Sequence, residues 1–185
     1  MRAAVLPERY GISKYSIMLL RISGAFFIAA AAALCGFLKA DQLRRNEAVC
    51  RSVRELLMKS GYLIRYRSLT VYELCAVLKE CSFSDDLTFI SNLPEEHIPG
   101  KDFSCLWLSA LDTQKGIPPE ERELLLRFGT ELGNSDSEGQ AEMINALSEE
   151  TALLLVRRKE EYQKYGRLWR NVSILAGLML FVLII

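Results

Sequence analysis

The stretch 22-ISGAFFIAAAAALCGFL-38 decides how this chain is built. It holds 17 residues without a charge, and with residues 17–20 it reaches 22 residues interrupted only by Arg21. As an α-helix such a segment is roughly 25 to 33 Å long, which is enough to cross the hydrocarbon core of a bilayer. Arg21 lies near one end, where its side chain can reach the lipid headgroups. The stretch therefore predicts a transmembrane helix over residues 18–38.

A cleaved signal peptide is the alternative for this stretch, because a basic segment precedes it and small residues lie near its end. The apolar run is long for a signal peptide. The five cysteines, at positions 35, 50, 75, 81 and 105, form no C-x-x-C pair. Their odd number and spacing indicate buried thiols in a reducing compartment rather than a disulfide framework or a zinc site. A lipid anchor on Cys35 is excluded because Leu34 stands where the lipidation signal requires a small residue.

The C-terminal stretch 172-VSILAGLMLFVLII-185 is a second apolar run, with 14 uncharged residues. Counted from Leu168, it forms a helix of about 27 Å. If this run lay on a soluble domain, it would expose too much apolar surface to water. We therefore predict a second transmembrane helix over residues 168–185. Small residues four apart, Ala32 with Gly36 and Ser173 with Gly177, would let the two helices pack closely on each other or on a partner.

Basic residues flank the segment between the two predicted spans. They are Lys39, Arg44 and Arg45 after the first span, and Lys164, Arg167 and Arg170 before the second. The positive-inside rule therefore places residues 39–167 in the cytosol and both termini near the far face of the membrane. Residues 1–17 show no helical or strand period, and we expect them to be either an N-terminal extension or the result of a misassigned start, with translation then beginning at Met18.

Residues 39–167 are predicted to form an all-α, antiparallel bundle of about six helices. Leu43, Cys50, Val53, Leu57 and Ile64 follow the spacing of one long helix that continues out of the first span. The last helix runs from about residue 135 into the second span. The two long helices run antiparallel because both are tied to the same membrane.

Local signals predict where the shorter helices begin and end. Thr70 and Glu73 form a capping box, as do Ser135 and Glu138, and Ser84 is a candidate N-cap. One helix is expected near residues 101–111. Another opens at Pro118-Pro119 and ends at Gly133.

A calcium loop is the first alternative for the segment around Gly133. Asn134, Asp136 and Glu138 alternate as in the first half of an EF-hand loop, and Gly139 follows. The twelfth position is Asn145 instead of the bidentate Glu that such a loop requires. We therefore predict a helix break here and no metal site.

The sequence contains no recognised pattern of catalytic residues. The chain has 23 basic and 23 acidic residues, so no net charge favours nucleic acid. Its only histidine, His97, is predicted to be a solvated loop residue, and the phosphate-loop, nucleophile-elbow and zinc-protease motifs are absent. We expect no catalytic, cofactor-binding or metal-binding residues and no cofactor, hence a protein that is not an enzyme.

Clustered charges have ordinary structural explanations. The adjacent acids Asp85-Asp86, Glu95-Glu96 and Glu120-Glu121 are each expected in the first turn of a helix, where the helix dipole favours them. Residues 157–164 are typical of a solvated helix face, with a lipid-binding or partner-binding site as the alternative.

The chain resembles the stage III sporulation protein AB family from about Met18 to Ile185. The opening 18-MLLRISGAFFIAAAAALCGFLKADQLRRN-46 is similar to the start of that family. The most specific likeness is 124-LLLRFGTELGNSDSEGQAEMI-144, with Leu132-Gly133, then Ser135-Asp136, then Gln140. The closing 162-YQKYGRLWRNVSILAGLMLFVLII-185 is similar to the family's tyrosine-rich neck and final span. The first 17 residues and the cysteine-rich 71-VYELCAVLKEC-81 depart from the family.

The resemblance implies a subunit of a secretion-like export complex in the mother-cell membrane that faces the forespore. It implies a cytosolic domain similar to that of the inner-membrane platform protein of type II secretion and type IV pilus machines. The expected partners are the stage III sporulation protein AA ATPase, other proteins of the same operon, indirectly the stage II Q protein, the lipid bilayer and a second copy of the chain. The alternative is a membrane-anchored helical regulator or sensor that binds a small ligand and is unrelated to secretion.

Overall fold

The computed structural model describes residues 10–67, 69–133 and 136–184, which form helices joined by loops and contain no strand. The α-helices are α1 (Tyr10–Arg67), α2 (Val71–Lys79), α3 (Phe103–Thr113), α4 (Pro119–Glu131) and α5 (Ser137–Ile184). Two short 3₁₀ turns, Ser82–Asp85 and Thr88–Asn92, separate α2 from α3. The all-α prediction is therefore confirmed for the described residues. Between residues 39 and 167 the structure has three complete α-helices, α2, α3 and α4, together with parts of α1 and α5. The sequence predicted about six helices in this range.

The chain divides into two compact units, one made of its two ends and one of residues Leu43–Tyr162. In the unit of the two ends, a Cβ added to Gly36 would overlap the Ser173 side chain. A Cβ on Gly177 would lie 2.9 Å from the Ala29 carbonyl oxygen. The small residues Gly36, Ser173 and Gly177 thus lie where α1 and α5 approach closely, which is one of the two packing arrangements left open by the sequence.

One helix among the described residues is long and apolar enough to cross a membrane, the part of α1 from Met18 onward. Only 6% of the most apolar part of this helix is buried. Helix α1 begins at Tyr10, inside the segment for which no helical period was predicted.

In the Leu43–Tyr162 unit, α1 and α5 run antiparallel. Gly61 faces Ile144, whose Cγ2 would lie 3.1 Å from a Cβ at that glycine. Farther toward the start of α1, the Cys50 thiol lies 3.9 Å from the Thr151 carbonyl oxygen. The core of this unit takes fully buried side chains from α1, α2, a 3₁₀ turn, α3 and α4: Leu56, Leu57, Leu74, Leu78, Phe89, Ile90, Trp107, Leu111, Leu125 and Phe128.

Trp107 is the centre of the core around α3 and α4. Its ring contacts Phe89 and Phe128 edge-to-face at centroid distances of 5.2 Å. Its indole N–H donates to the Leu125 carbonyl at 2.8 Å, which satisfies the one polar atom that the ring buries. Gly129 lies against the ring, and a Cβ at that position would overlap it.

The predicted helix ends are largely confirmed. Glu73 accepts from the Thr70 N–H at 2.8 Å while its own N–H donates to Thr70 Oγ1, which completes the capping box. Pro118 and Pro119 open α4, and Gly133, two residues past its end, has a φ of +89°. Ser135 lies outside the described residues. The side chain of Asp136 accepts from the Gly139 N–H at 3.0 Å at the start of α5.

Two local predictions are wrong. Ser84 is not an N-cap, since it lies inside a 3₁₀ turn that begins at Ser82. Glu95 and Glu96 lie in a loop rather than in a helix's first turn, and Asp86 lies just past the end of the 3₁₀ turn that contains Asp85. The reason is that Phe83, Leu87, Phe89, Ile90 and Leu93 are all buried. The chain holds them in two 3₁₀ turns instead of one α-helix, and the adjacent residues Phe89 and Ile90 both reach the core.

Candidate protein-interaction site

A cluster of five charged residues joins α4 to α5. We call it the charged seam: Glu120 and Glu121 in the first turn of α4, and Arg157, Arg158 and Glu161 on α5. The placement of Glu120 and Glu121 in the first turn of α4 confirms the expectation from the helix dipole. The seam also brings those acids against two arginines that lie 37 residues later in the chain.

Glu121 and Arg158 form a two-pronged ion pair. Arg158 Nε donates to Glu121 Oε1 at 2.8 Å and Nη2 donates to Oε2 at 3.0 Å. The Glu121 side chain is fully buried and that of Arg158 is 13% exposed. A paired geometry of this kind gives strong, directional hydrogen bonds, and it compensates a carboxylate that would otherwise be costly to bury.

The remaining arms of Arg158 reach two further acids. Its Nη1 donates to Glu161 at 3.2 Å, and its Nη2 also donates to Glu120 at 3.1 Å. Arg157 forms a second ion pair with Glu120. The hydrogen bond to Glu121 is the main cause that raises the pKa of Arg158 above its ordinary value. The guanidinium therefore stays charged at any physiological pH, which suits holding two helices together and does not suit proton transfer.

Cys50 of α1 lies next to this seam. Burial, assisted by the charge of Glu121, raises the pKa of the Cys50 thiol to about 12. Burial likewise raises the pKa of Cys75 to about 12. Both thiols are therefore protonated at neutral pH, and a protonated thiol is a poor nucleophile and a poor metal ligand.

A groove opens between α4 and α5 beside the seam, with a volume of about 310 Å³. Leu124 and Leu154 are buried in its floor, while Leu153 is 76% exposed. It is lined by Glu120, Glu123, Leu124, Glu150, Leu153, Leu154 and Arg157. An apolar floor with an acidic rim suits a side chain or helix of a protein partner better than a small molecule, for which pockets are usually deeper.

A second exposed surface lies on α1. Met58, Tyr62 and Tyr66 are 53%, 56% and 70% exposed, and the two tyrosine rings lie 5.0 Å apart. Met58 and Tyr62 border a cleft of about 510 Å³ whose other side includes Cys81 and Phe83. Apolar side chains repeated on one helix face and left in solvent mark interaction surfaces more often than scattered single ones.

The other residues singled out by the sequence have local roles. His97 is exposed in its loop, as predicted, and its Nδ1 lies 3.1 Å from the Tyr72 hydroxyl. Asp86 accepts from Ser52 Oγ at 2.7 Å, and Glu95 accepts from Lys79 Nζ at 2.8 Å. No group of three or more potential metal ligands occurs among the residues that the structure describes. Asn134 of the calcium-loop pattern lies outside those residues.

The solvated-face prediction for residues 157–164 is wrong for Arg158. Periodicity within one helix could not reveal its partner, because Glu121 lies 37 residues earlier on another helix. The only available sequence signal was the combination of two adjacent acids opening one helix and two adjacent bases on another.

The comparison with protein families bears on the whole arrangement. The family model for stage III sporulation protein AB matches residues 21–185. The chain belongs to the stage III sporulation protein AB family. The match covers α1 from Arg21 onward, all of α5 and the entire Leu43–Tyr162 unit. No curated protein and no solved structure matches the chain.

Membership in the stage III sporulation protein AB family implies a role in the third stage of sporulation. Together with the apolar part of α1, it suggests an association with a membrane.

Proposed function

We propose that this protein is a non-catalytic platform subunit of the secretion-like channel complex between mother cell and forespore. In this proposal the protein sits in the mother-cell membrane that faces the forespore. Its Leu43–Tyr162 unit lies in the cytosol and docks the stage III sporulation protein AA ATPase. Other proteins of the operon, and through them the stage II Q protein, complete the complex.

One observation carries the proposal: both ends of the helical unit continue, without a break in the helix, into strongly apolar segments. Helix α1 includes the segment that is apolar enough to cross a bilayer. Helix α5 continues past residue 162 to Ile184, and its Leu175, Leu178 and Met179 are 65%, 62% and 75% exposed. Surfaces of this kind are unstable in water and stable in lipid. We therefore propose residues 168–185 as a second span beside that of residues 18–38.

The chemistry of the helical unit supports docking rather than catalysis. Arg158 of the charged seam bonds to three carboxylates, and the thiols of Cys50 and Cys75 are held protonated by burial. Shape, apolar surface and rim charge remain available to protein partners, and the α4–α5 groove and the exposed face of α1 are two such surfaces. Such features are the means by which proteins bind other proteins.

The arrangement in the membrane follows from charge. Lys39, Arg44 and Arg45 follow one proposed span, and Lys164, Arg167 and Arg170 precede the other. Bacterial membrane proteins retain such residues on the cytosolic side. A docking unit on that side can meet an ATPase that needs cytosolic nucleotide.

Thiol labelling tests this arrangement directly. Cys105 is exposed in α3 and serves as the natural reporter, in a variant with Cys35→Ser and Cys81→Ser. Expressed in a bacterial plasma membrane, Cys105 should resist a membrane-impermeant maleimide in intact spheroplasts and react after permeabilisation. A cysteine added after Ile185 should react without permeabilisation. Labelling of Cys105 in intact spheroplasts would contradict the proposed orientation.

A further inference from the structure

Two exposed stripes run along different helices of the Leu43–Tyr162 unit. Each has residues at intervals of three and four, so that its members share one helix face. The α1 stripe consists of Arg51, Glu55, Met58, Tyr62 and Tyr66, and the α5 stripe of Glu142, Ala146, Glu149, Leu153 and Val156. All ten side chains are exposed.

Both stripes present large apolar side chains to solvent. Tyr62 and Tyr66 on α1 are 56% and 70% exposed, and Leu153 and Val156 on α5 are 76% and 55% exposed. Tyrosine is among the residues that most often anchor protein interfaces. Each stripe thus offers an apolar centre that a partner surface would cover.

The charges around the two stripes are of opposite sign. Among the exposed charged residues between positions 51 and 67 of α1, four are basic and one is acidic. Between positions 138 and 160 of α5, five are acidic and two are basic. A surface around the α1 stripe therefore attracts a surface like that around the α5 stripe and repels a copy of itself.

We propose that the partner of each stripe is the other stripe on a second copy of this chain. The contact is head-to-tail: the α1 stripe of one copy packs on the α5 stripe of the next. Each copy then has two neighbours, and the contact propagates into a ring or a row in the plane of the membrane. A symmetric contact between identical stripes would set like charges against each other.

Helix direction and register agree with this pairing. Within one chain Gly61 faces Ile144 and Cys50 lies near Thr151, so α1 and α5 are antiparallel. Copies anchored in one bilayer point the same way, which makes α1 of one copy antiparallel to α5 of the next in the same register. Lys59 then lies level with the segment between Glu142 and Glu149. The common direction of the copies rests on the proposed membrane anchorage and not on the proposed ATPase docking, whereas the attraction between the two stripes needs no bilayer.

Photocrosslinking locates the contact. The full chain carrying p-benzoylphenylalanine in place of Tyr62 is purified and reconstituted into vesicles of phosphatidylethanolamine and phosphatidylglycerol, then irradiated. We expect a covalent dimer in which the crosslinked peptide of the second copy lies within residues 138–160. A crosslink to residues 51–67 of the second copy, or crosslinks to lipid alone, would overturn the proposal.

Mixing two variants tests the head-to-tail geometry. Tyr62→Asp removes the α1 stripe and leaves the α5 stripe, while Leu153→Asp does the reverse. Because both positions are exposed, neither change disturbs the core. In sedimentation of the full chain in detergent, each variant alone should associate at least about tenfold more weakly than the parent chain. An equal mixture should form one-to-one dimers and nothing larger, because only one pair of intact stripes remains.

Ile98→Asp is the matched control, since it places the same charge on an apolar loop residue that is 36% exposed and belongs to neither stripe. It should associate like the parent chain. A parent chain that stays monomeric at all concentrations, or a mixture that is no larger than the two separate variants, would refute head-to-tail contact. Binding of the ATPase is a separate measurement, so either proposal can fail alone.

Discussion

Breaking the Glu121–Arg158 pair should destabilise the protein far more than breaking an exposed pair does. In Arg158→Leu the fully buried Glu121 carboxylate loses both hydrogen bonds and keeps Glu120 as a neighbour. Removing one partner of a buried pair costs about 3–5 kcal/mol, because it leaves an uncompensated buried charge. Arg127→Leu is the control. Its pair with Glu150 is about half exposed on both sides and should cost less than about 1 kcal/mol.

The double variant Glu121→Leu/Arg158→Leu separates charge compensation from packing. Because it removes both charges together, it should be less destabilised than either single variant, by roughly 2 kcal/mol or more. The assay is denaturant unfolding of the full chain in detergent, followed by the fluorescence of buried Trp107 in a Trp169→Phe background. A double variant whose loss equals the sum of the two single losses would refute the account of the seam as a coupled pair.

Three smaller changes test other features of the helical unit by the same unfolding assay. Thr70→Ala removes the capping box of α2 and should cost about 1 kcal/mol, whereas Thr70→Ser should cost little. Gly129→Ala places a methyl group against the Trp107 ring and should cost about 1–3 kcal/mol, and an unchanged stability would mean that the ring has room to shift. Cys50 and Cys75 release their protons near pH 9.0 when unfolded but only near 12 when folded, so between these values stability should fall as pH rises. The decline should be shallower in Cys50→Ala/Cys75→Ala, and equal slopes would contradict the assignment.

The helices could be predicted wherever one segment carries its own signal. The apolar spacing of α1 and the capping box at Thr70 depend on residues within a turn or two of each other. So do the proline start of α4 and the glycine after its end. Such local patterns are readable because helix periodicity and end-capping are set by near neighbours along the chain.

The predictions that failed concern features that depend on residues far apart in sequence. The turns between α2 and α3 form because Phe89 and Ile90 must both reach a core built mainly by other helices. The seam requires knowing that the first turn of α4 faces residue 158, which only the packed structure reveals. Tertiary contacts of this kind override local preference, and a single sequence does not encode them in a readable pattern.

The most direct test of the docking role is binding of the stage III sporulation protein AA ATPase to the full chain in vesicles. The purified ATPase is mixed with vesicles that carry the chain in both orientations, and with protein-free vesicles of the same lipid, and each mixture is sedimented. The proposal predicts that the ATPase sediments with the protein-containing vesicles and that brief proteolysis of the exposed helical units abolishes this. Equal amounts of ATPase on both kinds of vesicle would contradict the proposed function.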